Sequence, residues 1–172
     1  MRKIFFVLVL ISTMSSAQKL EFQSIDSLNA KKEILFSGAK SWVSNTFNSS
    51  KSVIDMDDKD SGRIIGKAFL QDSKQHRCMS YYEISSVSFK FTIDVKDNKY
   101  RIVLSDFNHL GKQVSAGSLD SDQAPAGFGF GCGKKNAQRV YDEIKLNVKD
   151  QSEKLFKDFR DKMVEAVKKD DF

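Results

Sequence analysis

Cysteine, proline, tryptophan and histidine are all scarce: the 172 residues include two Cys, one Pro, one Trp and two His. Two Cys exclude a disulfide-dense mini-protein. One Pro and nine Gly exclude collagen-like, mucin-like and linker compositions. Neither sign of charge prevails, with 28 Lys or Arg against 23 Asp or Glu. The two signs are interspersed, so the sequence gives no sign of the concentrated basic surface that nucleic-acid binding demands. Long apolar runs are missing too. The one conspicuous run, Ile4 to Ile11, is eight residues, and a membrane span needs about 20. What is abundant is core material: 40% of residues are hydrophobic and 14 are Phe, which excludes disorder. A chain of this size is expected to form one domain, burying about 70% of its unfolded surface.

That early apolar run has its own meaning. Arg2 and Lys3 precede it, and Ser15-Ser16-Ala17 follow it as small residues, so residues 1–17 read as a secretory signal cut between Ala17 and Gln18. No Cys follows the run, which argues against a lipoprotein anchor, and the expected location is periplasmic or secreted. Without Arg2 and Lys3, 26 basic residues face 23 acidic ones, a mild excess that a solvated surface explains. In an oxidising compartment Cys78 and Cys132 could pair or remain two separate thiols. A bridge between them would stabilise the fold by about 4 kcal/mol in the chain-entropy model.

Residues 18–172 are expected to form a single domain with no further membrane span. Leu20 to Ile25 alternates apolar and polar residues, as a short strand does. A helix follows, with Ser27 or Asn29 available as cap. Its Ile34, Leu35, Ala39, Trp42, Val43 and Phe47 recur at helical steps, which makes Trp42 a core anchor. Ser52 to Met56 and Arg63 to Leu70 form a hairpin around the turn residues Asp57 to Gly62. Gln71 to Met79 reads as a polar connection. The clearest strand comes next, where Val87, Phe89, Phe91, Ile93 and Val95 alternate with Ser86, Ser88, Lys90, Thr92 and Asp94. Phe89, Phe91 and Ile93 therefore belong to the core. After the turn at Asp97-Asn98, Tyr100 to Leu104 returns antiparallel.

Residues 108–135 form a long Gly-rich loop, and such loops are usually functional or flexible. Over 136–168 a helical stripe runs through Ala137, Tyr141, Ile144, Val148, Leu155, Phe159, Met163 and Ala166, with Ser152 its polar member. A continuous helix there would measure about 50 Å, longer than the domain's width of about 40 Å. It must overhang or break near Asn147 to Gln151, and a short strand at Ile144 to Val148 is the competing reading. The fold class is α+β: an antiparallel sheet of four or five strands with two helices on one face. One sheet face is covered, and the other is polar and wet.

The run Leu35 to Val43, then Phe47 to Ile54, then Asp57 to Lys67, resembles a bacterial exported domain of unknown function described as having a TATA-binding-protein-like (TBP-like) fold. Phe89 to Asp97 and Tyr100 to Ile102 fit the same pattern. The resemblance covers most of residues 25–107 and implies a strand, a helix, an antiparallel sheet and a closing C-terminal helix. It carries no activity and no site residues. The fold's name does not imply DNA binding, because Phe89 and Phe91 share the covered face and cannot act as groove wedges.

Chemical motifs fail on inspection. Gly127 to Lys135 lacks the first Gly of a phosphate loop, where Phe128 stands, and the Ser or Thr after Gly-Lys, where Lys135 stands. Asp57 to Gly62 lacks calcium ligands at Lys59 and Ser61, and Ala68 replaces the bidentate Glu. His76 and Cys78 find no completing pair for a metal site, and His109 falls in a polar loop. No residue is nominated as catalytic, cofactor-binding or metal-ligating, and no cofactor is expected. Phe128 and Phe130, with Phe107 and Tyr100, could line a small cleft. The expected function is a non-enzymatic binding or interaction module of the bacterial envelope, working through its polar sheet face or its long loop. The alternative is a carrier or enzyme for a lipid or glycan fragment, with a pocket between sheet and C-terminal helix.

Overall fold

The computed structural model describes residues 19–47, 53–78, 81–112, 114–129 and 131–170. The expected signal segment, residues 1–17, and the expected Ala17–Gln18 junction lie outside them. In chain order the described elements are β1 (Phe22–Ser27), α1 (Lys32–Thr46), β2 (Ile54–Asp58), β3 (Arg63–Cys78), β4 (Tyr81–Lys96), β5 (Lys99–Gly111), β6 (Gly117–Ser118) and α2 (Lys134–Asp170). The strands form one antiparallel sheet in the order β1-β5-β4-β3-β2, with β6 paired to the far end of β5. Both helices lie on one face.

Period-two alternation decides which side of each strand is buried. On β4 the side chains of Val87, Phe89, Phe91, Ile93 and Val95 are buried, and Ile64, Ala68 and Leu70 on β3 join them. Burying a Phe or Ile of this kind contributes about 1.5–3 kcal/mol. From above, α1 supplies Leu35, Phe36, Ala39, Trp42 and Val43, and α2 supplies Tyr141, Ile144, Val148, Phe159 and Met163. Trp42 packs against Phe159 at 4.7 Å between rings, and its indole Nε1 donates to the Asp158 carboxylate at 2.7 Å. The helices cross closely at Gly38, where an added Cβ would stand 2.7 Å from that of Ala166.

Several expectations are corrected. Neither Ser27 nor Asn29 caps α1. The helix begins after Lys31 without a side-chain cap of its own. Its first N–H is met instead by the β4–β5 turn, where Lys32 N donates to Asp97 Oδ1 at 2.8 Å, and just ahead of the helix Ala30 N donates to Asn98 Oδ1 at 3.1 Å. A carboxylate there also suits the positive end of the helix dipole. Gln71 to Cys78 is not a connection but the distal half of β3, paired with β4 through a register shift between Asp72 and His76. Cross-strand hydrogen bonding, not an apolar pattern, holds that half together.

β5 likewise continues past Leu104 to Gly111. A bulge accounts for the missed half, because Asp106 adopts a φ of 56° and the pairing with β4 shifts between Ser88 and Lys90. Burial therefore switches from even-numbered Tyr100, Ile102 and Leu104 to odd-numbered Phe107 and His109. The irregular stretch is correspondingly shorter than 108–135. α2 is one unbroken helix of 37 residues, about 55 Å long, with neither a break at Asn147 to Gln151 nor a strand at Ile144 to Val148. Ser152 sits within its buried stripe because its hydroxyl donates to the Val148 carbonyl at 2.8 Å.

Candidate functional site on the open sheet face

The sheet face opposite the helices carries one row of side chains from every paired strand. One row reads Gln23, Val103, Thr92, Ile65 and Met56, and the next reads Ile25, Arg101, Asp94, Arg63 and Asp58. The sequence expectation of a small, polar face holds on β4 and fails on its neighbours. Large hydrophobic side chains stand exposed there: Phe69 at 59%, Ile25 at 50%, Leu110 at 44% and Met56 at 39%. Single exposed hydrophobics are ordinary, but several on one uncovered face mark an interaction surface. Pairing with β2 stops at Gly66, so Phe69 also sits where β3 is the sheet's edge.

Charge on this face is organised by one carboxylate. Asp94 Oδ1 accepts from Arg63 Nε at 2.6 Å, and Oδ2 accepts from Arg101 Nε at 3.2 Å and Nη2 at 2.6 Å. Partial burial alone would raise the Asp94 pKa, yet the hydrogen bonds from Arg101 and Arg63 prevail and hold it below its ordinary value. The row ends near the β2–β3 turn, where Gly62 has a φ of 69° and its carbonyl accepts from Val95 N at 2.7 Å. A Cβ at Gly62 would lie 2.3 Å from the Val95 carbonyl oxygen, so this corner requires glycine.

Trp42, Phe89, Phe91 and Ile93 are all buried on the covered side. Phe107, Tyr100 and Phe128 do not gather around one cleft. Phe107 is buried against Phe22 and Phe89, and Tyr100 packs on Phe159. Phe128 packs edge-on against His109 and Tyr141 while bordering a groove of about 610 Å³ with Pro125, Gly129 and Lys134. Phe130 lies outside the described residues.

His109 is not in a loop. It is buried in β5, and its Nδ1 accepts from Ala116 N at 2.9 Å. Nor is Cys78 in a loop, since it is the last residue of β3. The side chains of His76 and Cys78 lie outside the described residues. Cys132 is buried just before α2 and is disulfide-bonded.

The long connection is lashed to α2. The Tyr141 hydroxyl donates to the carbonyls of Ser118 and Ser121 at 3.3 and 3.1 Å, and Lys145 Nζ donates to Ser121 O at 2.9 Å. Gln138 binds Asp122 O at 3.1 Å and Ala124 N at 2.9 Å. Burial, followed by nearby Asp charges, raises the Tyr141 phenol above its ordinary pKa. Of the two surfaces named from sequence, the sheet face is thus the one left uncommitted. Sequence reasoning missed Ile25, Phe69, Arg63 and Arg101 as members of that face. Carrying the parity of β4 across every strand would have found them.

An antiparallel sheet covered on one side by two helices, with a bare opposite side, defines a TBP-like α+β fold. Residues 22–109 match the family model for DUF4468, a domain of unknown function with TBP-like fold, and the chain belongs to that family. Its architecture is similar to the crystal structure of a DUF4468 family protein from Bacteroides ovatus ATCC 8483. That match has a TM-score of 0.60 at 13% identity, covering 84% of this chain and 86% of that one. A TBP-like protein from Parabacteroides distasonis ATCC 8503 is similar at a TM-score of 0.56 and 15% identity, covering 83% of this chain and 93% of that one. No curated protein matches the sequence. Among the described residues, no helix is long and apolar enough to cross a membrane.

Proposed function

We propose that this protein is an exported, non-enzymatic binding module of the bacterial envelope that engages its partner through the open sheet face. The observation that carries the reading is the set Ile25, Met56, Phe69 and Leu110, large apolar side chains exposed on a face that no described element covers. Export rests on the signal pattern of residues 1–17 and on its expected cleavage before Gln18. The disulfide at Cys132 supports an oxidising compartment, and Cys78, the chain's only other cysteine, is its partner in this proposal. Between sheet and α2 the space is filled by Tyr141, Ile144, Val148, Phe159 and Met163, so a carrier pocket there gains no support.

The reading is tested by pull-down from envelope extracts with the wild-type protein and an Ile25→Ser/Phe69→Ser variant of unchanged circular dichroism. A partner held by the wild type and released by the variant supports it. Capture of nothing, or capture indifferent to both substitutions, overturns it. N-terminal sequencing of the exported protein is expected to begin at Gln18.

A further inference from the structure

We infer that the turn end of the open face is an anion-binding groove, built to hold a doubly charged oxyanion such as a phosphate ester or a dicarboxylate. This deepens the binding-module reading and rests on the open face being the surface that binds. The groove encloses about 340 Å³ and is lined by Arg63, Asp94, Lys96, Lys99 and Arg101, with Ile25 as its apolar flank. Four of those side chains are cationic and one is anionic, a net of three positive charges among the lining residues, with Asp58 beside Arg63 at the end of the row.

Asp94 spends both oxygens as a pin between the two guanidinium groups, on Arg63 Nε at 2.6 Å and on Arg101 Nε and Nη2. Pinned in this way, the guanidiniums are held side by side in one row of the sheet. Both terminal nitrogens of Arg63 and the Nη1 of Arg101 make no hydrogen bond among the described residues. Lys96 and Lys99 face each other in register beside the β4–β5 turn, and neither forms an ion pair among the described residues.

A purely structural ion pair needs one arginine for one carboxylate. Here two arginines share it and two lysines add repulsion, a surplus that an incoming oxyanion relieves. Guanidinium groups with open donor edges suit oxyanions, and charge-assisted hydrogen bonds of this kind are the strong ones. Three neighbouring acids are held by other donors, although Asp58 keeps its charge beside Arg63. Asp58 accepts from Asp60 N and Ser61 N, Asp97 from Lys32 N, and Asp26 from Arg160.

The test is an NMR titration of the full chain with inorganic phosphate, with succinate as the dicarboxylate arm, at ionic strength held constant by chloride. Saturable shifts of the Lys96, Lys99 and Arg101 signals are expected, at a dissociation constant of about 1 mM, the range a few such bonds sustain. The stronger of the two anions identifies the ligand's source. Arg101→Gln should weaken binding about tenfold, and Lys96→Gln/Lys99→Gln, both exposed and outside the core, severalfold. Lys149→Gln, exposed on α2, serves as the charge control and should leave binding unchanged. Shifts that stay linear to high concentration, or a Lys96→Gln/Lys99→Gln variant that binds like wild type, overturn the proposal. The titration needs no partner, so its failure removes the groove while capture by the open face stands. Failed capture beside saturable anion binding removes the module reading and supports the groove.

Discussion

Phe91 and Phe69 stand on neighbouring strands of one sheet and face opposite sides of it. Phe91 is fully enclosed and stacks on Phe47 at 5.7 Å, whereas Phe69 is 59% exposed opposite Ser88. The covered side has helices that bury most of the apolar side chains offered to it. The bare side retains apolar atoms without using them for the fold. Residue type alone does not mark an interaction surface; what marks it is apolar area that folding leaves unpaired.

Substitutions can break or sharpen this contrast. The largest effect is expected from Phe91→Ala, which should cost about 3–5 kcal/mol in urea unfolding, the range for emptying a core aromatic site. A loss below about 1 kcal/mol would mean that the covered face is not the core. Trp42→Phe keeps an aromatic ring under α2 but deletes the bond to Asp158, and a loss of about 2 kcal/mol is expected by the same measurement.

Tyr100 marks the covered side's polar margin. Its hydroxyl is buried beside the Arg160 guanidinium with no hydrogen bond of ordinary geometry among the described residues, so Tyr100→Phe should stabilise by no more than about 1 kcal/mol near neutral pH. Burial first, and the Asp26 charge next, push this phenol up to about 12. The unfolded phenol ionises near about pH 10, so folded protein holds the extra proton between those values. Stability does not depend on the Tyr100 proton below that unfolded value and falls as pH climbs from there to about 12. Alkaline unfolding followed by circular dichroism should be shallower in Tyr100→Phe. The smallest stability effect is expected at Phe69→Ser, within about 0.5 kcal/mol, as for surface positions generally. A larger loss would place Phe69 in the fold's own packing.

Much of this architecture was legible from periodicity. The stripe Ala137, Tyr141, Ile144, Val148, Phe159 and Met163 describes the buried side of α2, and Val87 to Val95 describes β4. What escaped has physical causes. At Asp106 one extra residue inverts the alternation, so a reader following even positions loses β5 where its pairing continues. The outer half of β3 is held by backbone bonds between polar residues, which leave no trace in hydropathy. For the candidate site, β4 alone displayed its wet side clearly. Arg63, Arg101 and Ile25 become neighbours only through strand order, and order is not written in any local stretch.

The start of α1 is governed from a distance. Asp97 takes the first N–H of the helix and Asn98 the N–H of Ala30 just ahead of it, and the bond from Lys32 reaches 65 positions along the chain. A chain emerging from the ribosome therefore makes this helix before it possesses the groups that terminate it. The helix's beginning settles only once the β4–β5 hairpin has closed, so the amino-terminal third cannot mature ahead of the middle. Truncations ending before that hairpin should yield a frayed segment instead of a smaller folded unit, and the two parts enter the native state together.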